Sequence, residues 1–144
     1  MIVGGIPMLF VGTPESNAGR AIFGYGLVDA TNVSMTNLVS NTGVVAADVT
    51  GVGTARQALA AAGYGTDKAI FGYGYTTAAA SMTNLVSNTG VVAADTTGVG
   101  TARRLLAAAG YGTDKAIFGY GYDTDNASMT NLVSNTGVVA ADTT

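Results

Sequence analysis

The stretch Ala69-Ile-Phe-Gly-Tyr-Gly74, followed by Ser81-Met-Thr-Asn-Leu-Val-Ser-Asn-Thr-Gly-Val-Val-Ala-Ala-Asp95, occurs three times in this chain. Its first half recurs at Ala21–Gly26 and Ala116–Gly121, and its second half at Ser34–Asp48 and Ser128–Asp142. The spacing is constant, 81 − 34 = 47 and 128 − 81 = 47. A period of this length marks a repeat architecture, in which each unit buries its apolar face only against its neighbours. The 144 residues divide into repeats 1–50, 51–97 and 98–144.

Repeats two and three differ only at Gln57/Arg104, Ala58/Leu105, Thr76/Asp123, Ala78/Asp125 and Ala79/Asn126. Repeat one carries Leu27–Val33 where repeat two carries Tyr75–Ala80, one residue shorter. Length change and substitution together predict a loop between the two halves of the motif, because strands in register do not tolerate slippage.

Each repeat reads as four short strands. In repeat two these are Ala58–Ala62, Lys68–Tyr75, Met82–Ser87 and Val91–Asp95. Gly63–Asp67 forms a turn, and Asn88-Thr89-Gly90 fits a three-residue hairpin loop with Gly in the left-handed position. Alternation in the second strand places Ala69, Phe71, Tyr73 and Tyr75 on one face. Ile70, Gly72 and Gly74 fall on the other, flat enough for a neighbouring sheet to approach. A helix competes for Arg56–Ala62 and Arg103–Ala109, since Ala favours helix. Two glycine-flanked turns of helix are marginal, and strand is the consistent choice.

Four strands per 47 residues match a β-propeller blade. The pattern resembles the kelch repeat: Arg56, an apolar innermost strand, a Gly-bearing second strand, a variable loop, then the third strand. It departs from it in Gly72-Tyr-Gly74 for the adjacent Gly-Gly, and in Met82 and Leu85 where aromatics are usual. The resemblance implies an all-β fold with three blades per chain. Propellers close with about four to eight blades. Two chains give six, so the expected assembly is a homodimer closing one six-bladed ring; the alternative is that the 144 residues are a fragment of a longer natural chain. Met8, Leu9 and Phe10 are bulkier than the alanines of the later repeats, and would either be tolerated at a chain end or seal the junction between chains.

Composition narrows the chemistry. There is no Cys and no His, which removes disulfides, thiolate sites, the commonest general base and the commonest transition-metal ligand. The kelch-like copper oxidases need His ligands and a Cys-linked Tyr, so the resemblance does not extend to their activity. Net charge is −3 without a basic cluster, which argues against nucleic acid. No apolar run is long enough to span a membrane. Met1–Val11 is apolar but lacks the basic start and cleavage site of a signal peptide, and reads as a strand.

The expectation is a non-enzymatic scaffold or binding module with no cofactor and no metal. Its alternative is a lectin-like carbohydrate binder with repeated sites. Expected partners are a second copy of the chain and a carbohydrate or protein ligand. The candidate ligand-binding residues border the variable loops: Asp29, Asn32, Tyr75, Tyr122, Asp123, Asp125 and Asn126. Asp123-Thr-Asp125-Asn126 has oxygen ligands at alternate positions but lacks the Gly and distal Glu of a calcium loop. Asp48, Asp95 and Asp142 are expected to cap turns and pair with the arginines that open the next blade, Arg56 and Arg103.

Overall fold

The computed structural model describes residues 19–144. The expectations for Met1–Val11 and for Met8, Leu9 and Phe10 fall outside them. The described chain is all-β, with eight strands and no helix. β1 (Ala21–Val28) and β2 (Thr31–Val39) form the first sheet. β3 (Ala60–Tyr64), β4 (Lys68–Tyr75) and β5 (Ala79–Val86) form the second, and β6 (Ala107–Tyr111), β7 (Lys115–Gly119) and β8 (Thr130–Val133) the third. All pairings are antiparallel. Each sheet lies within one repeat.

The second strand of repeat two has the expected bounds, and the glycine hairpin forms as expected. Gly90 has φ 84°, Ser87 N–H donates to Val91 O, and Gly90 N–H to Ser87 O. Four expectations are corrected. The helix-prone alanines are strands β3 and β6, shifted toward the Gly-Tyr turn. In repeat one, β1 and β2 run through the expected loop, leaving only Asp29 and Ala30 as a turn. Their φ values of 46° and 62° suit a two-residue hairpin turn of the primed type.

The fourth strand is reduced to isolated bridges, such as Thr83 with Thr96 and Val86 with Val92. Its ladder is interrupted because the Asn84 side chain takes the Ala93 carbonyl, Nδ2 to O 3.0 Å. Finally, Tyr73 does not share a face with Phe71. Two β5 residues oppose Tyr73 in a bulge, and Tyr73 adopts φ 63°. The twist turns its ring toward the third sheet, against Phe118, while Phe71 meets Tyr25 of the first sheet.

The sheets stack face to face. Between the first and second lies a cluster of Tyr25, Phe71, Val86 and Val92. Between the second and third, Tyr64, Ile70, Tyr73, Leu106, Ala116, Phe118 and Val133 pack together. The flat glycine face admits the neighbour as expected. A Cβ on Gly72 would stand 2.6 Å from Phe118 Cζ, and one on Gly24 3.1 Å from Phe71 Cζ. A second seat recurs beside it: a Cβ on Gly137 would meet Leu85, and the turn at Gly90 rests on Leu38 in the same way.

Candidate functional site

The stack is pinned by one arginine per junction. Arg56 is wholly buried, with Nε donating to Tyr73 O (2.8 Å), Nη1 to Thr54 O (3.1 Å) and Nη2 to Asn84 Oδ1 (2.6 Å). Its guanidinium lies 4.4 Å over the Tyr25 ring of the previous sheet. Arg103 repeats this with Tyr120 O (2.8 Å), Thr101 O (3.1 Å), Asn131 Oδ1 (2.5 Å) and the Tyr73 ring (4.4 Å). A buried guanidinium needs every donor engaged and a countercharge nearby. Asp95 stands 3.8 Å from Arg56 and Asp142 3.6 Å from Arg103.

The arginines therefore pair with the aspartate that ends their own repeat, not with the one before it. First and last segments of a repeat are thus clasped together. The Asp95 carboxylate also accepts from Thr54 N–H, Thr54 Oγ1 and Asn84 Nδ2. Burial pushes its carboxyl up, but the Thr54 and Asn84 hydrogen bonds and the Arg56 charge outweigh this and hold it below the ordinary value. Asp142 is held low by the same balance of burial against Asn131, Thr101 and Arg103.

The predicted site residues lie at one end of the sheets, and the structure brings some of them together. Tyr75 closes β4 and Tyr122 pairs with Asn126 in an isolated bridge. Between their rings sits Arg104, 4.4 Å from Tyr75 and 5.5 Å from Tyr122. Asn32 reaches across from β2, with Nδ2 donating to Thr76 O at 3.1 Å. Its Oδ1 is buried and accepts no hydrogen bond among the described residues. Asp123, Asp125 and Asn126 are exposed in a tight turn where Asp123 N–H donates to Asp125 O. Asp29 sits apart, exposed at the β1–β2 turn. Among the described residues no three acidic side chains are grouped to hold a metal ion.

Arg104 is the residue that sequence reasoning missed. The signal was present, since position 57/104 is one of the five differences between repeats two and three. The bridges of Gln57 to Tyr75 and Arg104 to Tyr122 bring that position beside the variable turn. All five differences therefore gather at one end of the sheets. Two equivalent hollows open there, of about 410 Å³ beside Asn32, Met35 and Thr50, and about 440 Å³ beside Ala79, Met82 and Thr97.

Among the described residues, the two outer faces of the stack are uncovered and complementary. Phe23, the counterpart of Phe71 and Phe118, is 64% exposed. Gly119, the counterpart of Gly24 and Gly72, would place a Cβ against nothing closer than Thr130 Cγ2 of its own sheet, at 3.5 Å. Leu132 is exposed where Leu38 and Leu85 carry a neighbour's turn, and a Cβ on Gly43 would meet nothing within 4 Å. Tyr120 is 63% exposed, and no guanidinium lies over its ring among the described residues.

No family model and no curated protein matches the sequence. Among solved structures, the chain is similar to a novel fungal alcohol oxidase with catalytic diversity among the AA5 family, in complex with copper. The TM-score is 0.57 at 11% identity, over 85% of this chain and 28% of that one. The likeness is one of fold, and this chain spans little more than a quarter of that protein's length.

Proposed function

We propose that the chain is a non-enzymatic, kelch-like β-propeller module whose three blades pair with those of a second copy to close a six-bladed ring. The observation that carries this reading is the match between the open faces. Phe23 and Gly43 on one face are the counterparts of Phe71 and Gly90, which fill the first junction. Gly119 and Leu132 on the other are the counterparts of the seats they fill. A second copy continues the stack with the two contacts already used twice. Apolar faces of this kind are an aggregation hazard unless covered.

The copper of the similar oxidase has no fitting ligands here. Imidazole and thiolate are the usual protein donors to copper, and the sequence has neither His nor Cys. The ring's binding face is the end that carries Tyr75, Arg104, Tyr122 and the acidic turn. The paired hollows at Asn32 and Ala79 favour, as a second reading, a lectin-like binder with repeated sites. A glycan array separates the two.

The closure is tested at Gly119. An alanine there fits within its own chain, because nothing lies closer than 3.5 Å to the new Cβ. It removes the seat for Phe23 of a second copy. Gly119→Ala is expected to unfold like the parent as a single chain but to self-associate at least tenfold more weakly in sedimentation. Unchanged association contradicts the closure.

A further inference from the structure

We infer that the first repeat carries a preformed site for a guanidinium group, to be filled by a ligand or partner side chain of that chemistry. In the second and third repeats the Asn side chain donates to two acceptors, Ala93 O and Asp95, or Ala140 O and Asp142. That pose aims its Oδ1 at the arginine. In the first repeat Asn37 holds the same pose, with Nδ2 donating to Ala46 O at 3.1 Å and to Asp48 Oδ1 at 2.7 Å. Tyr25 has the same left-handed backbone as Tyr73 and Tyr120, whose carbonyls accept the arginine Nε.

The arginine itself is missing from the sequence. Arg56 and Arg103 stand thirteen residues before Ala69 and Ala116 (69 − 56 and 116 − 103). Thirteen before Ala21 is Met8, and residues 1–18 contain neither Arg nor Lys. A thioether cannot supply five N–H donors in a planar fork or the positive charge that this acceptor set matches. The carboxylate of Asp48, the Oδ1 of Asn37 and the Tyr25 carbonyl therefore form a guanidinium-selective cluster rather than a general cation site. An ammonium lacks the planar fork that addresses them together.

The site rests on the proposed ring for its remaining wall. In the two internal junctions the guanidinium stacks on the Tyr ring of the preceding sheet. At the junction between chains that ring is Tyr120 of the second copy. The ligand thus couples to closure by linkage: whatever binds the closed state better stabilises it.

The test is a titration of the full chain with methylguanidinium, at concentrations far below those that denature, against methylammonium. The readouts are the side-chain amide resonances of Asn37, Asn84 and Asn131, and the mass in solution. The expected result is a saturable shift confined to Asn37, absent with methylammonium, and tighter self-association. Arg103→Ala is expected to create a second responsive site at Asn131 inside a single chain, which keeps the test independent of dimerisation. If Arg103→Ala responds and Asn37 does not, the first-repeat site is overturned while the ring stands. An equal response to methylammonium overturns the selectivity. If Asn37 responds but the chain stays single at every concentration, the site holds and the ring reading fails.

Discussion

Arg56 and Arg103 are the residues on which the stack's specificity turns. Each is a buried charge satisfied by two carbonyls, an amide oxygen, a tyrosine face and a nearby carboxylate. Removing the amide strands a donor in a dry site. Asn84→Ala is expected to cost about 1.5–3 kcal/mol in urea unfolding, the range for hydrogen bonds to charged groups. Asn37→Ala, which strands no arginine, is expected to cost roughly 1 kcal/mol. Equal costs contradict the role assigned to the arginines. Asp95 and Asp142 have folded pKa values below 3.8, the unfolded reference. A depressed carboxyl contributes stability that is complete above the unfolded value and lost as pH falls through the folded one. Melting temperature is therefore expected to drop below about pH 4. Asp95→Asn should flatten part of that drop while lowering the plateau at neutral pH.

At the level of elements, the glycines of the second strand decide how closely sheets approach. Gly72→Ala puts a methyl where the Phe118 ring stands, and is expected to cost about 1–3 kcal/mol as overpacking. The chemically identical change at Gly119 is expected to cost the single chain almost nothing. Chemical unfolding of both variants under dilute conditions checks the contrast.

The repeat period, the second strand and the Asn-Thr-Gly hairpin were legible in the sequence, because each rests on a local rule: periodicity, alternation, or a glycine at positive φ. The face of Tyr73 was not. A bulge with a non-glycine at positive φ breaks alternation without leaving a mark in composition. Nor was the pairing of Arg56 with Asp95: Asp48 is the nearer aspartate in sequence, and Asp95 comes beside Arg56 only once the last segment of the repeat folds back against its first, where it also accepts from Thr54. The candidate site was half legible. Tyr75 and Tyr122 stood out as loop-flanking aromatics, but Arg104 joins them only once the first strand of its repeat is folded back beside the turn.

For the whole molecule, three sheets stacked in the same sense leave two unlike faces, each carrying the half of a junction that the other lacks. Phe23 and Gly43 face outward on one side, Gly119, Leu132 and Tyr120 on the other. A head-to-tail contact of this sort either closes or propagates into filaments. Six blades fall within the range in which propellers close. The most direct measurement is the mass of the 144-residue chain in solution, by light scattering coupled to size exclusion across a dilution series. The expected result is a species of two chains that persists on dilution and gives way to single chains in Phe23→Ala. A stable single chain in the parent protein, or an open-ended series of larger species, would contradict it.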